Sequence, residues 1–242
     1  MRFIIMHTTN PRWEAGENPS QELIGRVGAL LGELSKAGAF EGGDGLRATS
    51  QGARLQFSGG TRTVTRGPFP GVHELPAGFS VIRAHSLDEA IEWATRAADA
   101  LGTEAVGEID VRPVAEPWDI GMRPKPADLT TRRYMVLRKA TAATEYGAVA
   151  PDRRAALSRL IDETTSTGVH LVTHAMRPSR RGRRYINARN GVSAFDGPFA
   201  ETKELLAGFV IVSAASLDDA GRWAERYLDV VETDQVDVRE LE

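Results

Sequence analysis

The residues best suited to chemistry lie in one polar turn of the C-terminal half, at positions 195–205. This segment places Asp196 directly before Gly197 and Pro198. Glycine permits a positive φ and proline fixes its own φ, so this tripeptide is typical of a tight turn. A carboxylate on such a turn, beside other ionisable groups, can act in acid–base chemistry or ligand binding. The alternative is that Asp196 only caps the turn while its neighbours form structural ion pairs.

Further candidates come from the same turn and from the histidines. The candidate ligand-binding residues are Gly197, Pro198, Phe199, Glu201, Lys203, Glu204 and His7. His174 is the candidate catalytic partner of Asp196, because it lies on the second predicted strand of the same half. His7 ends the first predicted strand, and its counterpart in the other half is about Arg138. The half with this histidine therefore lacks the aspartate. The histidine spacing suits no metal, and neither a metal site nor a cofactor is expected.

The chain that carries these candidate residues contains an internal duplication. The matched blocks share one offset of 130 residues: Gly67-Pro68-Phe69 with Gly197-Pro198-Phe199, and 86–90 with 216–220. Such a repeat predicts two copies of one domain, at 1–112 and 132–242. Between them, the proline-rich segment 113–131 is expected to be a semi-rigid linker.

The first repeat lacks the acidic turn. The corresponding pairs are Arg66 and Asp196, His73 and Lys203, and Glu74 and Glu204. If the aspartate is functional, the first repeat has lost that function. We therefore expect at most one site of this kind, in the second repeat, or two different sites.

Each repeat is predicted to fold as strand, helix, two or three strands, helix and strand. Apolar residues within 23–34 line one helical face, and Ser86 with Glu89 forms a capping box. This order indicates an α+β fold, in which an antiparallel sheet carries both helices on one face as a ferredoxin-like unit. The other face of each sheet needs a cover, so we expect the two sheets to pack face to face as an intramolecular pseudo-dimer. The glycines at 42–45 are expected to form a turn or bulge between strands.

The acidic turn and its continuation through Ala207-Gly208-Phe209 into Ser216-Leu217-Asp218 resemble the YCII-related family of the DGPF type. The resemblance covers almost all of the second repeat and, more weakly, the first. It implies a bacterial protein with a ferredoxin-like fold that dimerises as an α/β barrel. Most such relatives are uncharacterised, and a His–Asp acid–base pair is proposed in some. The resemblance also implies an association with extracytoplasmic-function sigma factors.

Composition narrows the classes of partner. A net charge of −3 argues against a general nucleic-acid or anionic-membrane binder, since both need a basic surface. The chain has no cysteine, which excludes disulfides and thiolate chemistry. No stretch approaches the ~20 apolar residues of a membrane helix, so a cytoplasmic protein is expected. The arginine-rich run at 177–184 favours a solvated loop, with phosphate contact as the weaker alternative.

The favoured function is the binding or transformation of a small molecule by acid–base chemistry at the Asp-Gly-Pro-Phe turn. The alternative is a non-catalytic regulatory or interaction module, with a sigma factor as its partner. The sequence leaves open whether the protein is an enzyme and whether it forms a further homo-oligomer.

Overall fold

The computed structural model describes residues 1–71, 74–102, 106–141, 145, 150–188, 191–198, 205–231 and 233–242. Within these ranges the chain forms two compact units. Unit 1 comprises Met1–Gly45 and Met176–Glu242, and unit 2 comprises Leu46–Ala175. Each unit holds a six-stranded antiparallel sheet and helices, so the predicted α+β class is confirmed.

The described residues form the following strands and helices. The strands are β1 (Arg2–Thr8), β2 (Phe40–Gly45), β3 (Ala53–Ser58), β4 (Thr61–Arg66), β5 (Pro76–Ala84), β6 (Glu108–Pro113), β7 (Arg132–Lys139), β8 (His170–Ala175), β9 (Gly182–Ala188), β10 (Gly191–Asp196), β11 (Leu206–Ser213) and β12 (Gln235–Glu240). The helices are α1 (Pro11–Glu14), α2 (Gln21–Lys36), α3 (Leu87–Leu101), α4 (Pro151–Ser166) and α5 (Leu217–Val230). Short 3-10 turns lie at Thr49–Gln51 and Ser179–Arg181.

Each sheet takes strands from both sequence repeats. The order in unit 1 is β10-β9-β12-β1-β11-β2, with β1 of the first repeat between two strands of the second. The order in unit 2 is β4-β3-β6-β7-β5-β8, with β7 of the second repeat between two strands of the first. The expectation of one sheet for each repeat is corrected by this order. The equivalent strands β1 and β7 carry the same continuous apolar run, at 3–6 and 134–137, so either copy can fill a given position.

In each unit two long helices pack on one face of the sheet, but they come from different repeats, whereas both helices of one repeat were expected on the same sheet. In unit 1, Phe3 of β1 lies in one apolar core with Leu34 of α2 and Leu228 of α5. In unit 2, Trp93 of α3 and Leu160 of α4 share a core with the strand residues. The burial of these apolar faces is the main stabilising contribution in each unit.

Local sequence signals fix the helix starts. The Ser86 hydroxyl accepts a hydrogen bond from the Glu89 N–H at 3.1 Å, and Ser216 accepts one from Asp219 at the same distance. Both arrangements satisfy an amide that has no partner inside the helix. The serine cap predicted at Ser86 is therefore confirmed, but the Glu89 carboxylate accepts from the His85 N–H rather than from that of Ser86, so the reciprocal bond of a capping box is not the one described.

The glycines at 42–45 were expected in a turn or bulge between strands; the turn is wrong, whereas a register shift of the β2–β11 pairing lies directly beside them, between Phe40 and Gly42. They lie in β2, the edge strand of the unit 1 sheet, and pair with β11. A Cβ atom on Gly43 would stand 2.7 Å from the Phe209 carbonyl oxygen. Because glycine has no Cβ, the edge strand can approach β11 at this point.

Candidate functional site

The Asp-Gly-Pro turn of unit 1 starts where β10 ends. Arg183 of β9 donates from Nε to Asp196 Oδ1 at 2.6 Å and from Nη1 to Asp218 Oδ1 at 2.8 Å. These hydrogen bonds raise the pKa of Arg183, the bond to Asp196 most strongly. Asp218 lies in the first turn of α5, so Arg183 joins the hairpin to the helix. The Asp196 side chain is 71% exposed, and the contacts described for it form a surface ion pair.

The Gly-Pro part of the turn has the same geometry in both units. A Cβ atom on Gly197 would stand 1.9 Å from the Ser179 carbonyl oxygen, and one on Gly67 would stand 1.7 Å from that of Thr49. Both glycines precede a cis proline. Each turn therefore lies directly against the neighbouring 3-10 turn, and only glycine fits there. This close approach gives Gly197 and Pro198 a structural role that both repeats share.

The other predicted site residues are spread over both units. His174 lies on β8 of unit 2, whereas Asp196 lies on β10 of unit 1. The structure does not bring them into one unit, so their pairing stays a prediction. The His174 ring lies 5.4 Å from that of Phe79. The candidates that fall outside the described residues are Phe199, Glu201, Lys203 and Glu204.

His7 is buried at the end of β1 in unit 1. Its Nδ1 lies 2.9 Å from the hydroxyl of Tyr227 on α5, and the Trp13 ring lies 5.9 Å away. Burial lowers the pKa of His7 to about 3 and raises the pKa of Tyr227, so both are neutral near pH 7. A neutral imidazole accepts at one nitrogen, and the tyrosine hydroxyl can donate to it. Three strand spacings, roughly 14 Å, separate β1 from β10, so His7 is not a direct partner of Asp196.

Unit 2 contains a buried group of charged side chains that sequence reasoning missed. Arg54, Glu74, Asp110 and Lys139, here called the ionic cluster, are 4%, 5%, 2% and 3% exposed. They come from β3, the segment before β5, β6 and β7. Charged side chains are rarely so buried unless they are paired, so the cluster is either structural or functional.

Strand alternation directs the ionic cluster away from the helices. Leu55, Val111 and Val136 belong to the core beneath the helices. Successive side chains of a strand point to opposite faces of a sheet. The side chains of Arg54 and Asp110, which neighbour Leu55 and Val111, therefore lie on the opposite face.

Within the cluster, the guanidinium and the amine contact the same two carboxylates. Arg54 donates from Nε and Nη2 to the two Asp110 oxygens at 2.7 and 2.9 Å, and from Nη2 to Glu74 Oε1 at 2.8 Å. Lys139 Nζ lies 2.9 Å from Asp110 Oδ2 and also contacts Glu74 Oε2. Glu108 borders the cluster, with Oε1 at 3.2 Å from Arg54 Nε. Hydrogen bonds to charged partners are the strongest in proteins, so the four groups hold one another in place.

The motif segment of the first repeat supplies part of this cluster. The Arg54 guanidinium lies over the Phe69 ring at 4.4 Å and donates to the Pro70 carbonyl at 2.8 Å. Further along the same segment, Glu74 provides the carboxylate that corresponds to Glu204. The repeat without the acidic turn thus contributes a motif carboxylate to a buried site.

Burial brings the proton affinities of the amine and the carboxyl group closer together. Desolvation raises the pKa of Asp110, and the opposing hydrogen bond from Arg54 is the smaller effect. Burial and the charge of Arg54 lower the pKa of Lys139 well below its usual value. The two carboxylates favour the ammonium form of Lys139. Arg54 always stays charged and already bonds both carboxylates, so the pKa of Lys139 stays lowered. Burial thus disfavours the charged form of both the amine and the carboxyl group.

Lysine usage was the sequence signal that could have revealed this site. Only four of the 30 basic residues are lysines. Lys139 stands at the end of a strand whose four central residues, 134–137, are all apolar and buried. A rare residue type at a strand position that should be buried is unusual, because lysine is almost never fully buried without a partner.

The arginine-rich run of unit 1 is bound to carboxylates. Arg181 lies 2.6 Å from Glu240, and Arg184 donates to both oxygens of Asp237 at 2.7 and 2.8 Å. Arg183 bridges two aspartates, as described above. Such pairs offset the positive charge, which favours the structural interpretation over phosphate contact.

Comparisons with known proteins identify one family. The family model of the YCII-related domain matches residues 1–117 and again residues 132–238, which confirms the tandem duplication. No curated protein and no solved structure matches the chain. Among the described residues, no three His, Cys, Asp or Glu side chains form a group that could hold a metal ion. No helix in the same part of the chain has both the length and the apolar character to cross a membrane.

Proposed function

Because the chain belongs to the YCII-related domain family, we propose that it binds a small polar molecule and transfers a proton at the ionic cluster of unit 2. One observation carries this proposal. The Lys139 amine is 3% exposed and contacts two buried carboxylates, those of Glu74 and Asp110. An acid–base group needs a pKa shifted toward the working pH, and buried groups with charged partners have such shifts.

The ionic cluster meets this requirement better than the acidic turn. Asp196 is largely exposed and is held in a surface ion pair by Arg183. Surface ion pairs of this kind are common and carry little energy. The acid–base role predicted for Asp196 with His174, and the ligand contacts predicted along the turn, remain a second version of the proposal.

A metabolite screen by thermal shift tests where the ligand binds. We expect ligands that stabilise the wild type and lose this effect in Lys139→Met and Lys139→Arg. Arg184→Met is the matched control, because it breaks the equivalent arginine–aspartate pair of unit 1 and should leave each ligand response intact. Circular dichroism confirms that each variant is folded before its response is read.

Three outcomes decide between the versions. If no ligand stabilises the wild type, the proposed binding function is wrong. If both Lys139 variants respond like the wild type, the ionic cluster is structural. If Asp196→Asn abolishes a response that Lys139→Met retains, the site belongs to the acidic turn.

The finer fold assignment is also a proposal. The central strands of unit 1, in the order β12-β1-β11-β2, with two helices on one face, support a ferredoxin-like unit. The sheet-to-sheet pseudo-dimer, the regulatory alternative with its sigma-factor partner, and the cytoplasmic location stay predictions. A pull-down with the products of the neighbouring genes tests the regulatory alternative, and retained ligand binding without a partner would reject it.

A further inference from the structure

The connection between β6 and β7 is much longer than its geometry requires. The two strands are neighbours in the unit 2 sheet, and Pro113 at the end of β6 pairs with Tyr134 of β7. About 2–5 residues are enough to join neighbouring antiparallel strands, whereas residues 114–131 lie between these two. Long connections without regular secondary structure are usually either functional or disordered. The additional length therefore has a purpose other than joining the strands if the connection is held in place.

Two ion pairs hold the base of this connection. Glu116 is 5% exposed and accepts from Nε and Nη2 of Arg133, both at 3.0 Å. The carboxylate of Asp119 accepts from Arg132 at 2.5 Å. Both arginines belong to β7, so the connection is fastened to the strand that follows it. Hydrogen bonds between charged groups are the strongest in proteins, so the base has a defined position on the sheet.

Beyond this base, residues 121–128, here called the loop tip, are all exposed. Met122 is 60% exposed, more than any other large apolar side chain among the described residues. Arg123 and Lys125 follow it, and neither has a hydrogen bond or an ion pair within the described part of the chain. Asp128 is the one acidic residue of the loop tip. The base therefore presents an apolar side chain and two unpaired cations to the surroundings.

Two prolines restrict the backbone of the loop tip. Pro124 and Pro126 fix their own φ, and each disfavours helical geometry for the residue before it, which is Arg123 or Lys125. This restriction favours an extended, polyproline-like backbone. Segments of this kind lose little conformational entropy on binding, and protein domains bind them in grooves lined by aromatic side chains.

We propose that the loop tip is a docking segment for an acidic, aromatic-lined groove of a partner protein. Met122 and the two prolines supply the apolar contacts, and Arg123 and Lys125 supply a charge opposite to that of the groove. Two cations neutralise few phosphates, which argues against a nucleic-acid backbone as the partner. None of these residues belongs to the ionic cluster, so docking is a function additional to the one proposed above.

Site-specific photocross-linking in cells identifies the partner. p-Benzoylphenylalanine replaces Met122 in the full chain, and in a control it replaces Val192, an apolar side chain of unit 1 that is 39% exposed. Cells of the source organism are irradiated, and mass spectrometry maps the cross-linked peptides. We expect a protein that is cross-linked from position 122 and not from position 192, through a segment rich in acidic and aromatic residues.

Charge reversal with the purified partner then tests how the loop tip is recognised. Arg123→Glu with Lys125→Glu should weaken binding to the full chain by at least about tenfold, because like charges across an interface repel. Lys36→Glu with Arg180→Glu is the matched control, since it makes the same change of charge at exposed residues of unit 1 and should bind like the wild type. Reversing the acidic residues of the cross-linked segment should restore binding of the first double variant.

Several results would overturn the docking proposal. Position 122 may cross-link no protein beyond the control, or a segment without acidic residues, or nucleic acid or lipid in place of protein; each outcome contradicts it, as does wild-type affinity of the charge-reversed loop tip. Ligand responses in the thermal-shift screen should be unchanged in the loop-tip variant. A failure of this inference is therefore distinguished from a failure of the proposed function, and a lost ligand response would contradict a separate docking role.

Discussion

Equivalent positions of the two units hold different charges. In unit 1, Arg184 and Asp237 form a bidentate pair whose side chains are 13% and 10% exposed. In unit 2, the corresponding Arg54 and Asp110 are 4% and 2% exposed. Their surroundings also include Glu74 and Lys139. The arginine–aspartate pair is therefore part of the sheet architecture of both units, whereas the buried lysine is specific to unit 2.

The charged residues around the acidic turn also differ between the two units. In unit 1, Arg183 bridges Asp196 and Asp218. In unit 2, the aspartate of the turn is replaced by Arg66, which contacts Asp88, the counterpart of Asp218, directly. Ala53 stands where unit 1 has Arg183. Each set of charges links its hairpin to its helix, which supports the alternative that the aspartate has a structural role.

The largest expected effect comes from removing the central arginine of each unit. Arg54→Met removes the guanidinium that bonds two buried carboxylates, and should cost about 3–5 kcal/mol of unfolding free energy. Arg184→Met removes the guanidinium that bonds the more exposed Asp237, and should cost about 1–2 kcal/mol. Urea denaturation of both variants measures the difference. Equal losses would mean that the additional burial in unit 2 has no energetic consequence.

Local sequence patterns predicted the helices and strands, but they did not predict which strands pair when these are far apart in the sequence. The apolar spacing within 23–34 predicts α2, and the serine at position 86 predicts the start of α3, because both signals act within a few residues. The exchange of β1 and β7 between sheets has no local signal. Equivalent strands carry the same pattern, and only the path of the chain between units distinguishes them.

Lysine usage pointed to a buried charge at position 139, but the meeting of the four cluster side chains was unpredictable for the same physical reason. Its four side chains come from separate segments, and their proximity depends on a sheet that contains both repeats. The acidic turn drew attention because its residues are consecutive in sequence. The side-chain contact described for Asp196 is with Arg183 of the same hairpin, and the Asp196 carboxylate is largely exposed.

A smaller effect concerns the end of the first strand, where His7 of unit 1 corresponds to Arg138 of unit 2. The pKa of His7 is lowered to about 3 in the folded state, against about 6.5 when unfolded. Its contribution is thus fully present above pH 6.5 and is lost as the pH falls toward 3. From pH 7.5 to pH 5 the loss should be about 2 kcal/mol.

His7→Gln provides the measurement, because glutamine keeps a hydrogen-bonding group but does not titrate. Unfolding free energies at pH 7.5 and pH 5 should show a smaller decrease for this variant than for the wild type. Identical decreases would mean that His7 remains protonated when buried, or that other groups dominate the acid response.

The smallest effect tests whether the charges of the two turns are interchangeable. Asp196→Arg alone brings a second cation toward Arg183 and should cost less than about 1 kcal/mol, because the side chains are solvated. Adding Arg183→Ala recreates the arrangement of unit 2 around Asp218 and should recover the wild-type stability. A double-mutant cycle by urea denaturation measures this recovery.

The same double variant decides the role of the turn. If it is as stable as the wild type and responds to every ligand found in the screen, the aspartate serves only to link β10 to α5. If its stability is restored but a ligand response is lost, Asp196 contacts the ligand. Unit 1 would then hold a second site, and the contrast between a structural turn and a reactive cluster would be wrong. Stability and ligand binding must therefore be measured on the same preparation. A loss of stability reports a lost ion pair, whereas a lost ligand response at wild-type stability reports a lost ligand contact.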